Sequence, residues 1–219
     1  MSQHADARRY ALLLSAAMLA VVAFTLWLKP EWWRGDQDRP EFSIYLRVEE
    51  PRESLLGVFH SYDNEQQITQ QLAGQRWTVE RVHVEGTDSY PPYKIDTLTV
   101  PGYRHLDYPG TLSLEFFNDR LSSAAFRPDE PRLYSKRLRE TGVNFQRQSL
   151  SIWQQQSGNL RISTNHVYAT SDVGRTLGTP VFFSWEDTRL TAQSRQWYDV
   201  YGSKTMVAPV RTQSSDSTQ

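Results

Sequence analysis

An unbroken apolar run occupies residues 11–28 (ALLLSAAMLAVVAFTLWL) of a 219-residue chain whose mean hydropathy is only −0.61. A helix needs about 17–25 apolar residues to cross about 30 Å of hydrocarbon. No charged side chain interrupts the run, and each strongly apolar residue favours insertion by about 0.3–0.6 kcal/mol. The run predicts a transmembrane helix over residues 11–28, with the lipid bilayer as a partner. A buried core helix is the alternative.

Three tryptophans mark the far end of this run. Trp27 lies within it, and Trp32 and Trp33 follow a few residues later. Indole rings favour the headgroup layer of a bilayer, where they fix the depth of a helix. We therefore predict that Trp27, Trp32 and Trp33 are membrane-interface residues.

The orientation of the predicted helix rests on length more than on charge. Arg8 and Arg9 precede the run and Lys29 and Arg34 follow it, so the cationic bias is weak. The preceding arm has only ten residues, whereas long domains are translocated largely regardless of local charge. We expect residues 1–10 to form a cytoplasmic arm at a bacterial inner membrane, with the main domain in the periplasm.

A cleaved signal peptide is the competing interpretation of the same segment. Signal cores usually span about 7–15 residues and end at a small-x-small site. This run continues through Trp27 and Leu28 into Lys29-Pro30-Glu31, and bulky residues line its exit. An uncleaved anchor is favoured, and cleavage remains the alternative.

The rest of the chain has the composition of one globular domain. Residues 29–40 are rich in charge and turn formers and indicate a juxtamembrane linker. Residues 41–209 fit one exported domain, and residues 210–219 are polar and without periodicity, which predicts a disordered tail. The chain has no cysteine, so disulfides and thiolate sites are excluded. Its net charge of −1 predicts no nucleic-acid partner.

Short strands joined by tight turns outnumber helices in this domain. That pattern favours an α+β fold with a mainly antiparallel sheet and about three helices, packed on one face. The clearest hairpin joins residues 111–117 to residues 120–126 through Asn118-Asp119, which tolerate the backbone angles of a tight reversal. Other predicted elements are strands at 42–48, 77–84 and 180–185, a turn at Glu186-Asp187, and helices at 65–73, 131–142 and 188–201.

Motifs with chemical meaning are absent from the sequence. It contains no HExxH, no GxSxG and no GxxxxGK[ST], so zinc-protease, common serine-hydrolase and phosphate-loop chemistry are disfavoured. His105 and Asp107 are two residues apart, but Pro-Gly pairs bracket them as turns, and we expect both to be surface loop residues. We predict no catalytic residue, no metal ligand and no cofactor.

Aromatic residues, at 12% of the chain, are the one compositional excess. Four tyrosines lie among prolines in a stretch predicted to be rich in loops, where exposure is favoured. Exposed rings anchor interfaces and stack on sugars. The predicted partner-binding residues are therefore Tyr90, Tyr93, Tyr103 and Tyr108.

These observations lead to one functional hypothesis and two alternatives. The leading hypothesis is a membrane-anchored, noncatalytic interaction or scaffold protein of the bacterial cell envelope, whose exported domain binds another envelope protein. One alternative is an envelope enzyme acting on glycan or peptide. The other is a ligand-sensing domain, although a ten-residue cytoplasmic arm leaves no room for an output domain.

Overall fold

The computed structural model describes residues 40–204 and the backbone of residues 210–214. The predicted transmembrane helix (residues 11–28), the cytoplasmic arm and Trp27, Trp32 and Trp33 lie outside these residues, as does the linker up to residue 39. Within the described residues, no helix combines the length and the apolar character that a membrane crossing requires.

A nine-stranded antiparallel sheet dominates the described domain, so the prediction of a mixed domain with a mainly antiparallel sheet is confirmed. The strands are β1 (Ser54–Leu55), β2 (Phe59–His60), β3 (Thr78–Val84), β4 (Tyr93–His105), β5 (Tyr108–Phe117), β6 (Leu121–Pro128), β7 (Gln146–Arg147), β8 (Trp153–Ser157), β9 (Leu160–Thr164), β10 (Phe183–Asp187) and β11 (Val210–Ser214). The order of strands in the large sheet is β11-β3-β4-β5-β6-β10-β9-β8-β7, and a separate small hairpin pairs β1 with β2.

The described helices outnumber the three that were predicted. The predicted three are present as α2, α3 and α6, and the others are four or five residues long. One helical turn is too short to display the 3.6-residue periodicity by which a sequence reveals a helix. The helices are α1 (Pro40–Ser43), α2 (Glu65–Gln71), α3 (Pro131–Glu140), α4 (His166–Ala169), α5 (Asp172–Thr176) and α6 (Thr188–Tyr201).

Two four-stranded meanders make up most of the sheet. The first runs from β3 to β6 and is followed by α3, and the second runs from β7 to β10 and is followed by α6. Their last strands, β6 and β10, pair with each other, with Phe126 opposite Phe183. The sheet is therefore two local units joined along one central seam.

Tight turns with positive φ connect the strands of the first meander. The predicted turn at Asn118 and Asp119 is confirmed, with φ values of 48° and 58°. A second turn of this kind joins β4 to β5 at Leu106 and Asp107, with φ values of 51° and 71°. The turns that the sequence placed at Pro101-Gly102 and Pro109-Gly110 are wrong, since these pairs lie within β4 and β5. Leu106 gave no signal for the actual turn, because leucine rarely adopts a left-handed conformation.

The predicted strand over residues 42–48 is wrong. Its first residues belong to α1, and backbone bonds then close turns, such as Leu46 N–H to the Ser43 carbonyl. The alternation is also inverted, since Tyr45 is buried whereas Leu46 and Val48 are half exposed. A strand does not form here because side chains of the domain, described below, bind the carbonyls that a β-ladder would use.

The end of the chain also differs from expectation. Disorder was predicted over residues 210–219, but Val210–Ser214 forms β11 and pairs with β3 at the sheet edge. An open edge offers backbone N–H and C=O groups to any extended segment, whatever its side-chain polarity. Residues 215–219 lie outside the described residues.

Apolar side chains cover both faces of the sheet, so the prediction of helices on one face is wrong. The main core holds Leu98 and Leu114 from β4 and β5, with Tyr134 of α3 and Ile68 of α2. The opposite face carries a second group, here called the aromatic cluster. Successive strand residues point to opposite faces, and Phe117 therefore joins this cluster while Phe116 joins the main core. The buried members of the aromatic cluster are Tyr45, Tyr62, Phe117, Leu190 and Trp197.

Candidate functional site

The four tyrosines predicted to bind a partner are half-buried and pack against other rings. Tyr93 lies 4.5 Å from Trp197 between ring centroids, and Tyr90 meets the same indole edge-on at 6.3 Å. At the other end of β4, Tyr103 packs at 6.4 Å from Phe126. The expectation of exposed loop residues is thus wrong, because three of the four lie in β4 or β5.

These tyrosines do not share one surface. Tyr90 and Tyr93 belong to the aromatic cluster, whereas Tyr103 and Tyr108 pack against the main core. Ten residues of strand separate Tyr93 from Tyr103, which corresponds to about 33 Å. Partner binding by Tyr90, Tyr93, Tyr103 and Tyr108 therefore stays a prediction, and it would have to involve two separate surfaces.

His105 is half-buried at the end of β4 and is not a surface loop residue as expected. Its Nδ1 lies 2.7 Å from the hydroxyl of Tyr134, and its ring packs edge-on against Trp185. Burial lowers the pKa of His105 to about 4, although a hydrogen bond with the backbone of Leu56 acts in the opposite direction. The imidazole is therefore neutral at physiological pH. Asp107 is exposed, as predicted.

A buried arginine holds the N-terminal part of the domain in place. Arg120, only 4% exposed, donates to the carbonyl of Tyr45 at 2.6 Å and to that of Arg47 at 2.8 Å. Further donors go to the carbonyl of Phe117 and to Gln193 Oε1. Burial lowers the pKa of Arg120 to about 10, which still leaves it charged at neutral pH. Its donors are occupied by the chain itself.

Neighbouring side chains extend this contact along residues 45–51. Asn118 Nδ2 donates to the Tyr45 carbonyl at 3.0 Å, and Arg189 Nη2 donates to the Pro51 carbonyl at 2.7 Å. We call Asn118, Arg120 and Arg189 the arginine clamp. The clamp binds the carbonyls of Tyr45, Arg47 and Pro51, and the first two of these lie within the predicted strand and are not available to a β-ladder.

A buried carboxylate pairs with Arg189 of the arginine clamp. Asp187 is fully buried and pairs with Arg189 at 2.6 Å, while its carboxylate also accepts the Arg189 backbone N–H at the start of α6.

The predicted turn at Glu186-Asp187 is wrong, since both residues end β10 and Asp187 caps the helix directly. Beside this pair, burial and then the charge of Asp187 raise the pKa of Tyr62 to about 12.

An open groove of about 400 Å³ separates the start of α3 from α4 and α5. Its lining is largely apolar, and Leu133, half exposed, stands on its α3 side. Outside the lining, α5 and its C-cap expose two more apolar side chains, Val173 at 59% and Leu177 at 67%. The residues that line this α3–α5 groove are Glu130, Pro131, Arg132, Leu133, Ala169, Thr170, Arg175 and Val181.

Helix α3 beside this groove is strongly basic. It carries four cations and one carboxylate within ten residues, on a chain whose net charge is −1. Arg137 pairs with Glu140, whereas no ion pair is present for Arg132, Lys136 or Arg139 within the described part of the chain. No motif in the sequence marks this helix as a binding site, and the charge density of PRLYSKRLRE is the signal that could have done so.

The described residues hold no group of three His, Asp or Glu side chains that could bind a metal ion. Comparison of the chain with protein-family models, with curated proteins and with solved structures gives no match. The evidence on function therefore comes from the surfaces of this domain.

Proposed function

We propose that this chain is a noncatalytic interaction protein of the bacterial cell envelope. In this proposal, residues 11–28 hold it at the inner membrane, and the α3–α5 groove binds an acidic, partly apolar segment of another envelope protein. The proposal rests on one observation. Exposed apolar side chains and a basic helix, α3, occur together at the same groove.

Exposed apolar side chains on a monomeric domain mark interaction surfaces when they occur together beside a concavity. Leu133 lines the α3–α5 groove and is 51% exposed, and α5, which contributes Arg175 to the lining, exposes Val173 and ends at the exposed Leu177. Arg132 in the lining and Lys136 farther along α3, neither of them ion-paired within the described residues, add a positive field that attracts acidic partners and orients them during encounter. Apolar contact supplies affinity, and charge selects the partner.

The membrane anchor supports the same function. A domain confined near a bilayer meets other confined proteins at a raised effective concentration, so that modest affinity suffices. The support is the uncharged apolar run of residues 11–28 with its following tryptophans.

The groove is tested by photo-crosslinking in intact cells. A photoreactive amino acid replaces Leu133 in the full chain, and the matched control replaces Leu150, which is 80% exposed and lies outside the groove. We expect the Leu133 probe to capture a protein through a segment rich in Asp or Glu, and Lys136→Glu to reduce that capture. Equal capture by the two probes, capture of lipid alone, or capture unaffected by Lys136→Glu would contradict the proposal.

The anchor is tested separately by carbonate extraction of membranes. The full chain should remain in the membrane pellet, and a variant lacking residues 1–40 should be released. Chemical determination of the mature N-terminus distinguishes an anchor from a cleaved signal, since cleavage would yield a chain that begins beyond Trp33. Release of the full chain would remove the membrane part of the proposal and leave the groove untouched.

A further inference from the structure

Another cavity, of about 250 Å³, lies between α3, residues 144–145, β8, the end of β9 and the start of α4. Its floor includes the hydroxyl residues Ser135 and Thr164, each only 2% exposed. Phe145 and Trp153, both half-buried, contribute aromatic walls. Buried polar groups below aromatic side chains are typical of a small-molecule site.

The charge at this cavity is positive. Arg139 lines it and has no ion pair within the described residues, its nearest polar contact being Ser135 Oγ at 3.4 Å. His166 also lines it, and its buried Nε2 has no hydrogen-bond partner among the residues that the structure describes. Burial, and then the charges of Arg139 and Arg132, lower the pKa of His166. No carboxylate is among the described lining residues, so nothing in the lining neutralises Arg139.

Size and chemistry limit what can bind. A volume of 250 Å³ equals that of about eight water molecules at about 30 Å³ each, so the ligand has about eight or nine non-hydrogen atoms. The lining offers a single permanent cation, and the planar guanidinium of Arg139 matches a carboxylate in a bidentate arrangement. Phe145 and Trp153 suit a flat apolar body.

We propose that this cavity binds a small monocarboxylate with a flat apolar body, with Arg139 as the partner of the carboxylate and Phe145 and Trp153 around the body. The site is distinct from the α3–α5 groove and does not depend on the proposed function.

Binding is tested with benzoate, and with benzamide as a neutral molecule of the same shape. Both are titrated into the full-length, ¹⁵N-labelled chain in lipid nanodiscs, and the indole N–H signal of Trp153 is assigned with Trp153→Phe. We expect saturable shifts of Trp153 and of the Val167 amide, with a dissociation constant for benzoate of about 1 mM or tighter. Benzamide should bind at least about tenfold more weakly, because it lacks the charge.

Two substitutions on α3 identify the cation. Arg139→Gln should weaken benzoate binding about tenfold or more, whereas Arg137→Gln, two residues away and outside the cavity, should change it less than about twofold. Both sites are exposed, so both variants should fold. Equal binding of benzoate and benzamide, equal loss in the two variants, or no saturable shift would overturn the proposal. Tighter binding of inorganic phosphate than of benzoate would also overturn it.

Discussion

Two arginines of this domain stand in opposite situations. Arg120 is buried, and its donors meet the carbonyls of Tyr45, Arg47 and Phe117. Arg139 is exposed on α3, lines a cavity, and has a 3.4 Å contact with one hydroxyl as its nearest polar contact. A guanidinium offers five N–H donors, and the two sites differ in how many the protein itself uses.

Arg120 is a structural cation, whereas Arg139 is a cation whose donors are available to a ligand. The arginine clamp stabilises the fold because Arg120 gives a charged donor to buried and part-buried carbonyls, and it shares the Tyr45 carbonyl with Asn118. Arg139 stabilises little and retains its capacity for a ligand. Burial and hydrogen-bond occupancy distinguish the two, whereas their residue type and charge are identical.

The largest expected effect is the loss of Arg120. Arg120→Met should lower the free energy of unfolding by about 3 kcal/mol, since several buried carbonyls lose a charged donor. The same substitution at Arg139 should change it by less than about 0.5 kcal/mol. Urea unfolding of both variants measures the difference. Similar values for the two would show that the clamp does not stabilise the fold.

The next largest effect is expected from the ion pair between Asp187 and Arg189. Asp187→Asn should cost about 2 kcal/mol, because it breaks a buried pair with Arg189 while asparagine still caps α6. Asp187→Ala should cost about 1 kcal/mol more, since the cap is also lost. Chemical denaturation of both variants separates the two roles. Equal stabilities would assign the whole effect to the ion pair.

The pH dependence of stability tests the lowered pKa of the half-buried His105. The pKa of His105 is about 4 in the folded state against 6.5 when unperturbed, so the unfolded chain binds more protons between these values. Stability from neutral His105 is therefore complete above about pH 6.5, is lost as pH falls towards 4, and changes no further below that.

His105→Gln supplies the control for this measurement. The urea midpoint should fall less between about pH 7 and pH 4 in the variant than in the parent chain. The difference between the two curves is the relevant quantity, because the lowered pKa of His166 and the raised pKa of Glu115, both caused mainly by burial, contribute to each curve. Parallel curves would show that the pKa of His105 does not change on folding.

The smallest expected effect concerns the cavity. Arg139→Gln should raise the pKa of His166, because a nearby cation disfavours imidazolium. The pKa should stay below 6.5, since burial, the larger cause, persists. Histidine NMR titration measures it, with Arg137→Gln as the comparison variant. An unchanged pKa would place Arg139 too far from His166 for the proposed site.

Regular periodicity made much of the fold predictable from sequence. Leu112, Leu114 and Phe116 alternate as a half-buried strand must, and Asn118-Asp119 fit the turn, so this hairpin was identified correctly. The strand predicted at residues 42–48 shows the same alternation and fails. The carbonyls of this segment accept hydrogen bonds from side chains that are distant in sequence, such as Arg120. No local sequence pattern reveals such partners.

The candidate sites were less accessible to sequence reasoning. Tyrosine and proline content indicated exposure, but Tyr93 and Tyr103 lie in a long strand against the two apolar faces of the sheet. The cavity of Arg139 and His166 is assembled from α3, α4 and β8, which are adjacent only after folding. Convergence of this kind depends on tertiary packing and leaves no fixed spacing in the chain.

The seam between the two meanders has a consequence for the nascent chain. Strand β6 ends at Pro128, and its outer partner β10 does not begin until Phe183, about 55 residues later. At synthesis rates of about 5–20 residues per second, the first meander presents an open edge for about 3–11 s. An unpaired edge of this kind recruits other extended chains. The growing polypeptide is therefore most vulnerable to misassembly in that interval, before its own second half arrives.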